Sequence, residues 1–411
     1  MKININKKIP FIQIVLLIFF FSGNSFTLLK LSLMTITVLI CGRNFLKKHI
    51  DLNFILLFIF FVIYYLFSQH DGRYKSEFNI QLLLAPPILY LTGKWFGQKA
   101  ISSMTVVRVF WLIGLALATM TLKAVFTDII QNGFSDGARN LVVSDNGDEL
   151  SATVLGGLLV ILVSYSGLAF SISPLFNKIE RFLILLFFLL SIFAAARLGS
   201  RTVIAIGIIS LIQGIFLNRK HYRLFRLSLV FSIFLASIFY FIDFISGFID
   251  VFSYYQDRLD SDDYGTTSAG GRTEKWLNSI VLMIENPMGW GIDVNGHSHN
   301  LWLDVARNGG LISFTMSIIV TSCIVKSFLK SLSRNSNDNY FVTAISCIGT
   351  AFLMLFLLEP IFDGFAYVFF SFCCFWGIVH TFKQHTNISE SRVASVDSRY
   401  DFQQKERRPH A

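Results

Sequence analysis

Charge is what this chain has least of. Only 15% of its 411 residues are Asp, Glu, Lys or Arg, against about 25% in an ordinary soluble chain. With 54% apolar residues and a mean hydropathy of +0.59, a soluble globular class is excluded. Cysteine is scarce as well. Cys41, Cys323, Cys347, Cys373 and Cys374 all fall in or at the edge of apolar runs, and none pairs across polar loops, which excludes a disulfide framework. There is no repeat of fixed period and no Gly/Ser linker dividing the chain. The first apolar run follows Met1-Lys2 and Lys7-Lys8 like a signal peptide, but no small-residue cleavage site stands out after it, so it reads as a retained helix. A net charge of +9 would suit nucleic acid, yet its distribution has another explanation and no nucleic-acid partner is expected.

What is present is a series of apolar runs rich in the 44 phenylalanines. They fall at 9–23, 27–42, 53–69, 79–94, 105–126, 152–173, 182–196, 202–217, 224–245, 310–329, 340–358 and 364–382. Their length suits helices of about 20 residues rather than barrel strands of about ten. The expected fold is therefore an all-α polytopic integral membrane protein of about twelve transmembrane helices, with one large outer loop before helix 10. The positive-inside rule orients it. Lys7-Lys8, Lys47-Lys48, Lys94 and Lys99, Lys178 and Arg181, Arg219 to Arg226 and Lys326 to Arg334 all fall on one side with the basic tail. Both termini are then cytoplasmic and the 246–308 loop faces outward. Residues 1–384 read as one membrane domain, and 385–411 as a polar, disordered cytoplasmic tail. Pro86-Pro87 in the fourth run are expected to break or kink that helix.

The long polar segment from Asp260 to Gly310 carries the chemistry. It reads GGRTEKW at Gly270–Trp276, NPMGWGID at Asn286–Asp293 and HSHNLWL at His297–Leu303, and closes on Gly309-Gly310. Outward cations are few. Arg197 and Arg201 flank the turn AARLGSR, and guanidinium groups grip phosphate oxygens bidentately and keep their charge; the alternative is headgroup anchoring. Arg139 stands alone among acids in the 128–149 loop and reads as a carboxylate partner or a binding residue. Arg272 opens an amphipathic run, TEKWLNSIVLMI, where a cation opposes the helix dipole unless an anion is near. A pairing with Glu274 or with the Asp257–Asp263 acids is equally compatible. His297 and His299, followed by Asn300, make a poor metal set without a matching third ligand. Neutral imidazole instead suits proton removal from a sugar hydroxyl, or a capping role at the interface. Trp290 and Trp302 suit sugar stacking or membrane anchoring.

The order of these motifs resembles the O-antigen ligase and O-antigen polymerase superfamily of bacterial envelopes. The specific part is SRT at Ser200–Thr202 after the seventh span, then GR…W, NP.G.G and HN..L….G between Gly270 and Gly310. The resemblance implies transfer of a glycan from undecaprenyl diphosphate to a hydroxyl acceptor at the periplasmic face of the inner membrane, with no cofactor, nucleotide sugar or metal. It places Arg201 and Arg272 on the diphosphate and makes His299 the catalytic histidine. Arg197, His297, Asn300, Trp290, Trp302 and Arg139 remain substrate-binding candidates. The implied partners are the lipid-linked donor, a glycan or lipid A–core acceptor, membrane lipids and envelope polysaccharide assembly proteins. The short run from Arg272 to His299 favours a polymerase over a lipid A–core ligase. A flippase of lipid-linked oligosaccharides is the rival, but transporters gather ionisable residues near the midplane and show similar halves; here the cations sit in outer loops. A membrane scaffold would leave GGR and HSHN without a purpose.

Overall fold

A computed structural model describes residues 14–22, 27–40, 43–68, 76–100, 102–133, 140–143, 149–169, 177–217, 272–364 and 366–383. The ninth apolar run, the first part of the outer loop (246–271) with Gly270-Gly271 and the Asp257–Asp263 acids, Arg139, Cys41 and the C-terminal tail lie outside these residues. Nearly all of the described chain is helical. The helices are α1 (14–21), α2 (Thr27–Ile40), α3 (Arg43–His49), α4 (Leu52–Ser68), α5 (Ser76–Lys99) and α6 (Ser103–Asn132). A short antiparallel hairpin, β1 (Asn140–Val142) with β2 (Glu149–Ser151), follows. Then come α7 (Ala152–Leu158), α8 (Val160–Ser164), α9 (Ser166–Ala169), α10 (Lys178–Arg197) and α11 (Arg201–Leu217). After the gap lie α12 (Arg272–Glu285), α13 (Ile292–Asn295), α14 (Leu301–Arg334), α15 (Asn339–Leu358), α16 (Ile361–Gly364) and α17 (Ala366–Thr381).

Four of these helices, α6, α10, α14 and α15, are long and apolar enough to cross a membrane, and shorter apolar helices accompany them. An all-α membrane protein is what these elements make. Their ends obey local chemistry. Asn177 and Glu180 form a reciprocal capping box that starts α10, satisfying two otherwise orphaned backbone donors. Ser102 caps α6 by accepting from the Thr105 N–H.

Two expectations are corrected. Pro86 and Pro87 do not break the fourth run: α5 continues through them for 24 residues. Its buried side chains, among them Leu89, Tyr90, Trp95 and Phe96, belong to the tightest helix pair in the fold, α5 with α17, and this packing outweighs the local defect. At the crossing, a Cβ on Gly93 would strike the Cys374 carbonyl oxygen and one on Gly377 the Tyr90 carbonyl oxygen. Small residues there let two backbones touch, as membrane helix pairs require. Secondly, the sixth run is not one helix but three short ones, α7 to α9, with turns at Leu159 and Tyr165.

The core is mostly aliphatic, with an aromatic cluster between α15 and α17. Phe352, Phe356, Phe369 and Phe372 on α15 and α17 interlock with ring centroids 5.0 to 5.9 Å apart, in the edge-on and tilted arrangements that add to simple burial. At one end of α5, Lys94 is buried and closes on Asp51 at 2.6 Å, while also donating to the His49 carbonyl. Arg197 is another deep cation. It is buried at the end of α10 and pairs with Asp128 of α6 at 2.9 Å. The tight turn that follows bends at Gly199, whose φ of 63° lies in the region glycine enters at least cost.

Candidate functional site

The site is assembled from three segments that are far apart in sequence: the start of α11, the α12–α14 region and the link between α15 and α16. Each is shaped by its own local chemistry. Asn300 caps α14, its side-chain oxygen accepting from the Trp302 and Leu303 N–H groups while its amide donates to the Leu357 carbonyl. Asp304, one turn inside that helix, accepts from the Ser298 and Asn300 N–H groups at 2.9 and 3.2 Å. The backbone on both sides of His299 is thereby clamped. His299 itself is held at φ 53°, and it is the only non-glycine residue with positive φ among the described residues. A non-glycine residue in such a conformation costs on the order of 1–3 kcal/mol and persists only where the surroundings impose it, which is common at functional sites.

The amphipathic helix expected at 272–285 forms as α12, and it docks on the same loop. The Trp276 indole donates to the Ser298 carbonyl at 2.8 Å, Ser279 bonds Ser298 at 2.7 Å, and Asn295 donates to the Lys275 carbonyl and to Ser279. Its opposite face leaves Leu277, Ile280, Val281 and Ile284 exposed. The NPMGW turn is bound backbone to backbone onto α14: the Leu311 N–H donates to the Pro287 carbonyl and the Trp290 N–H to the Arg307 carbonyl. This approach is possible because Gly310 adopts φ 70°, ψ −174° and breaks the helical geometry of α14. The glycine pair expected to open the tenth span thus marks a bend with a purpose.

The third segment was not anticipated. Glu359 follows α15 and precedes Pro360, and a residue before proline is driven into extended geometry; its φ is −138° and ψ 152°. From there its buried carboxylate meets three of the four motif segments. Oε1 accepts from the Thr202 hydroxyl of SRT at 2.7 Å and from Arg272 Nη2 at 3.3 Å. Oε2 lies 3.7 Å from His299 Nδ1. Arg201, adjacent to Thr202, stands exposed at the first position of α11. Arg272 and His299 therefore meet directly at Glu359, and Arg201 is brought beside them through its neighbour.

A second cluster abuts the first. The rings of His297 and His299 are 6.2 Å apart. His297 Nδ1 lies 3.3 Å from Asp363 Oδ2, which also accepts from the buried Arg307 at 2.8 Å, and Arg307 Nε approaches Asp304 at 3.5 Å. His297, Asp304 and Asp363 present ligand atoms within 4.8 Å of one another, but the Arg307 guanidinium already supplies positive charge to both carboxylates, so the set reads as an ion-pair network rather than a metal centre.

The remaining candidates are placed elsewhere. Arg197 does not stand at the surface as an anchor; it is buried and paired with Asp128. Asn300 spends its side chain on the α14 cap. Trp290 is buried with Met283 and Ala306. Trp302 donates to Thr321 and lines an apolar cavity of about 220 Å³ with Phe60, Leu301 and Phe356. Neither tryptophan joins the polar cluster. Sequence reasoning missed Thr202, whose hydroxyl counts for more here than a motif letter, and Glu359. The signal for the latter was available: two acids, Glu359 and Asp363, in the short gap between the last two apolar runs.

A helical membrane protein with an arginine and a histidine facing one buried carboxylate is the class that these elements define. Residues 186–318 match the family model described as O-antigen ligase, a match over about a third of the chain that supports a relationship to the O-antigen ligase/polymerase superfamily and, at that level only, to membrane glycosyltransferases. Arg201, Arg272 and His299 all lie within the matched stretch, and Glu359 lies beyond it. No curated protein matches the chain.

Proposed function

We propose that this protein transfers a glycan from undecaprenyl diphosphate to a sugar hydroxyl at the periplasmic face of the bacterial inner membrane, and that it acts as a polymerase of surface polysaccharide repeat units. The observation that carries the reading is the convergence of Arg272, His299 and the SRT segment on Glu359. In this reaction the acceptor hydroxyl attacks the anomeric carbon and the bond from that carbon to the diphosphate oxygen breaks. The electron pair leaves with the diphosphate. Arg272 and Arg201 hold the developing negative charge; such prepositioned charge is usually the largest catalytic contribution. His299 takes the hydroxyl proton, worth roughly a hundredfold to ten-thousandfold. The compact distance between Arg272 and His299, a single helix and a turn, favours a lipid-linked repeat unit as acceptor over a lipid A–core.

The test is a gel profile of surface polysaccharide from cells lacking the protein, complemented with the wild type or with His299→Ala. Loss of long chains with a single repeat unit still attached to its anchor supports polymerase. Loss of all attached chains, with lipid-linked polymer accumulating, makes the protein a ligase. A wild-type pattern from His299→Ala removes the histidine from the chemistry and favours the flippase.

A further inference from the structure

The carboxylate of Glu359 is more than a counter-ion for Arg272. Its two oxygens are used unequally. Oε1 is fixed by Thr202 and Arg272, whereas Oε2 is buried and has no hydrogen-bond partner. Facing it at 3.7 Å is His299 Nδ1, which is also buried and without a hydrogen-bond partner. Two buried polar atoms left unsatisfied side by side are costly, and native structures leave few such atoms without a reason. A closure of under an ångström would join them. The obstacle is not distance but commitment: Glu359 is drawn by Arg272 on its other oxygen, and His299 sits on a strained backbone clamped by Asp304.

We propose that Glu359 is the positioning residue of the transfer, closing on His299 Nδ1 when an anionic donor takes over Arg272. The proposal rests on the functional reading above. When the donor's diphosphate engages Arg272, the guanidinium relaxes its hold on Oε1, and Thr202 keeps the carboxylate in place while Oε2 accepts from Nδ1–H. That bond selects the tautomer with the lone pair on Nε2, the arrangement a general base needs, since the bond at one ring nitrogen sets the state of the other. The acceptor's proton then passes to Nε2, the imidazolium formed is stabilised by the carboxylate, and the proton is later given up to solvent. Donor binding and base activation become one event, so the histidine is readied only when there is a glycan to transfer.

The test uses the full chain in phospholipid vesicles, with lipid-linked glycan extracted from cells lacking this protein as donor and the membranes of the same cells as the source of acceptor. Glu359→Gln keeps the shape and the Thr202 contact but removes the charge. It is expected to lower kcat about a hundredfold or more while KM for the lipid-linked glycan stays within about twofold, because the lost charge acts on the imidazolium that develops during proton transfer and not on the bound donor. Thr202→Val, which frees the carboxylate without discharging it, is expected to lower kcat about tenfold, again with little change in KM. A rise in KM with kcat intact would show that Glu359 serves donor binding through Arg272 alone, and would overturn the proposal. So would unchanged kinetics. If Glu359→Gln does not fold, Thr202→Val decides, and wild-type kcat in that variant is equally fatal. A wild-type protein that transfers no glycan instead overturns the functional reading on which the proposal stands.

Discussion

The pair Arg197–Asp128 separates two accounts of the same arginine. If Arg197 binds substrate, replacing it removes transfer and leaves the fold alone. If it is a buried structural ion pair, the loss falls on stability. The guanidinium and carboxylate side chains are 2% and 9% exposed and 2.9 Å apart. Asp128→Asn deprives the guanidinium of that negative charge in a place where water cannot replace it, and breaking a buried pair by removing one partner costs about 3–5 kcal/mol. An unfolding entropy of about 2.1 cal/mol/K per residue, taken over the 411 residues, comes to roughly 0.9 kcal/mol/K, so the midpoint of thermal unfolding falls by about 3–6 °C. Replacing both partners together, as Arg197→Leu with Asp128→Leu, removes the charges and their desolvation cost at once. Such replacements are often neutral or stabilising by about 1–4 kcal/mol. The double variant is therefore expected to melt at or above the wild-type temperature in detergent and to transfer glycan at close to the wild-type rate. A double variant that is stable but inactive would refute the structural account and return Arg197 to the substrate.

Arg272→Ala and His299→Ala are each expected to lower transfer by at least about a hundredfold without reducing the amount of protein inserted in the membrane, measured by immunoblot of membrane fractions beside the gel profile. Gly310→Ala forces a side chain into a backbone conformation nearly reserved for glycine, costing about 1–3 kcal/mol, and sets its Cβ against the Pro287 carbonyl and Met288; both the melting temperature and transfer should fall, and a variant with wild-type values for both would deny the bend its role. At Asp51, burial pushes the carboxyl up, but the Lys94 ammonium and the Phe54 N–H more than offset it and hold it below the usual carboxylate range. A depressed folded value means that its contribution to stability is present above about pH 4 and is lost as the pH falls through the folded value. Thermal scans should show wild type losing stability in that acid range more steeply than Asp51→Asn; parallel curves would show that the Lys94 pair contributes nothing.

Hydropathy revealed most of the helices because each apolar run is a local property, read from one window at a time. The motif segments were visible for the same reason: GGR, NPMGW, HSHN and the glycine pair each carry a backbone or charge feature within a few residues. In the sequence the glycine pair marks only the end of the polar segment; the bend at Gly310 shows in the structure alone. Arg197 could not be read, because its partner is 69 residues away in sequence and nothing local distinguishes a surface arginine from a buried paired one. Pro86-Pro87 misled for the converse reason: the local rule was sound, but the contact with α17 that overrides it comes from almost 300 residues further along.

Glu359 is the most telling omission. Attention went to cations because an anionic substrate was expected, yet cations gathered in one place repel one another and need a carboxylate to hold them together before the substrate arrives. The arrangement of Thr202, Arg272 and His299 around one acid meets that requirement, and the same requirement can be applied in advance. In a membrane chain whose outer loops gather arginine and histidine, the acid at the mouth of the last spans is the residue to seek, and Asp363, four residues on, serves Arg307 and His297 in the same way. Two parallel sets, each a carboxylate between an arginine and a histidine, then stand side by side. The one with Arg307 holds a buried arginine at 2.8 Å and its histidine at 3.3 Å, and has the character of a support; in the one with Arg272 the arginine is partly exposed at 3.3 Å, the histidine stands at 3.7 Å, and the backbone is strained at His299. That difference in closure, rather than the identity of the residues, is why the second set is the one proposed to react.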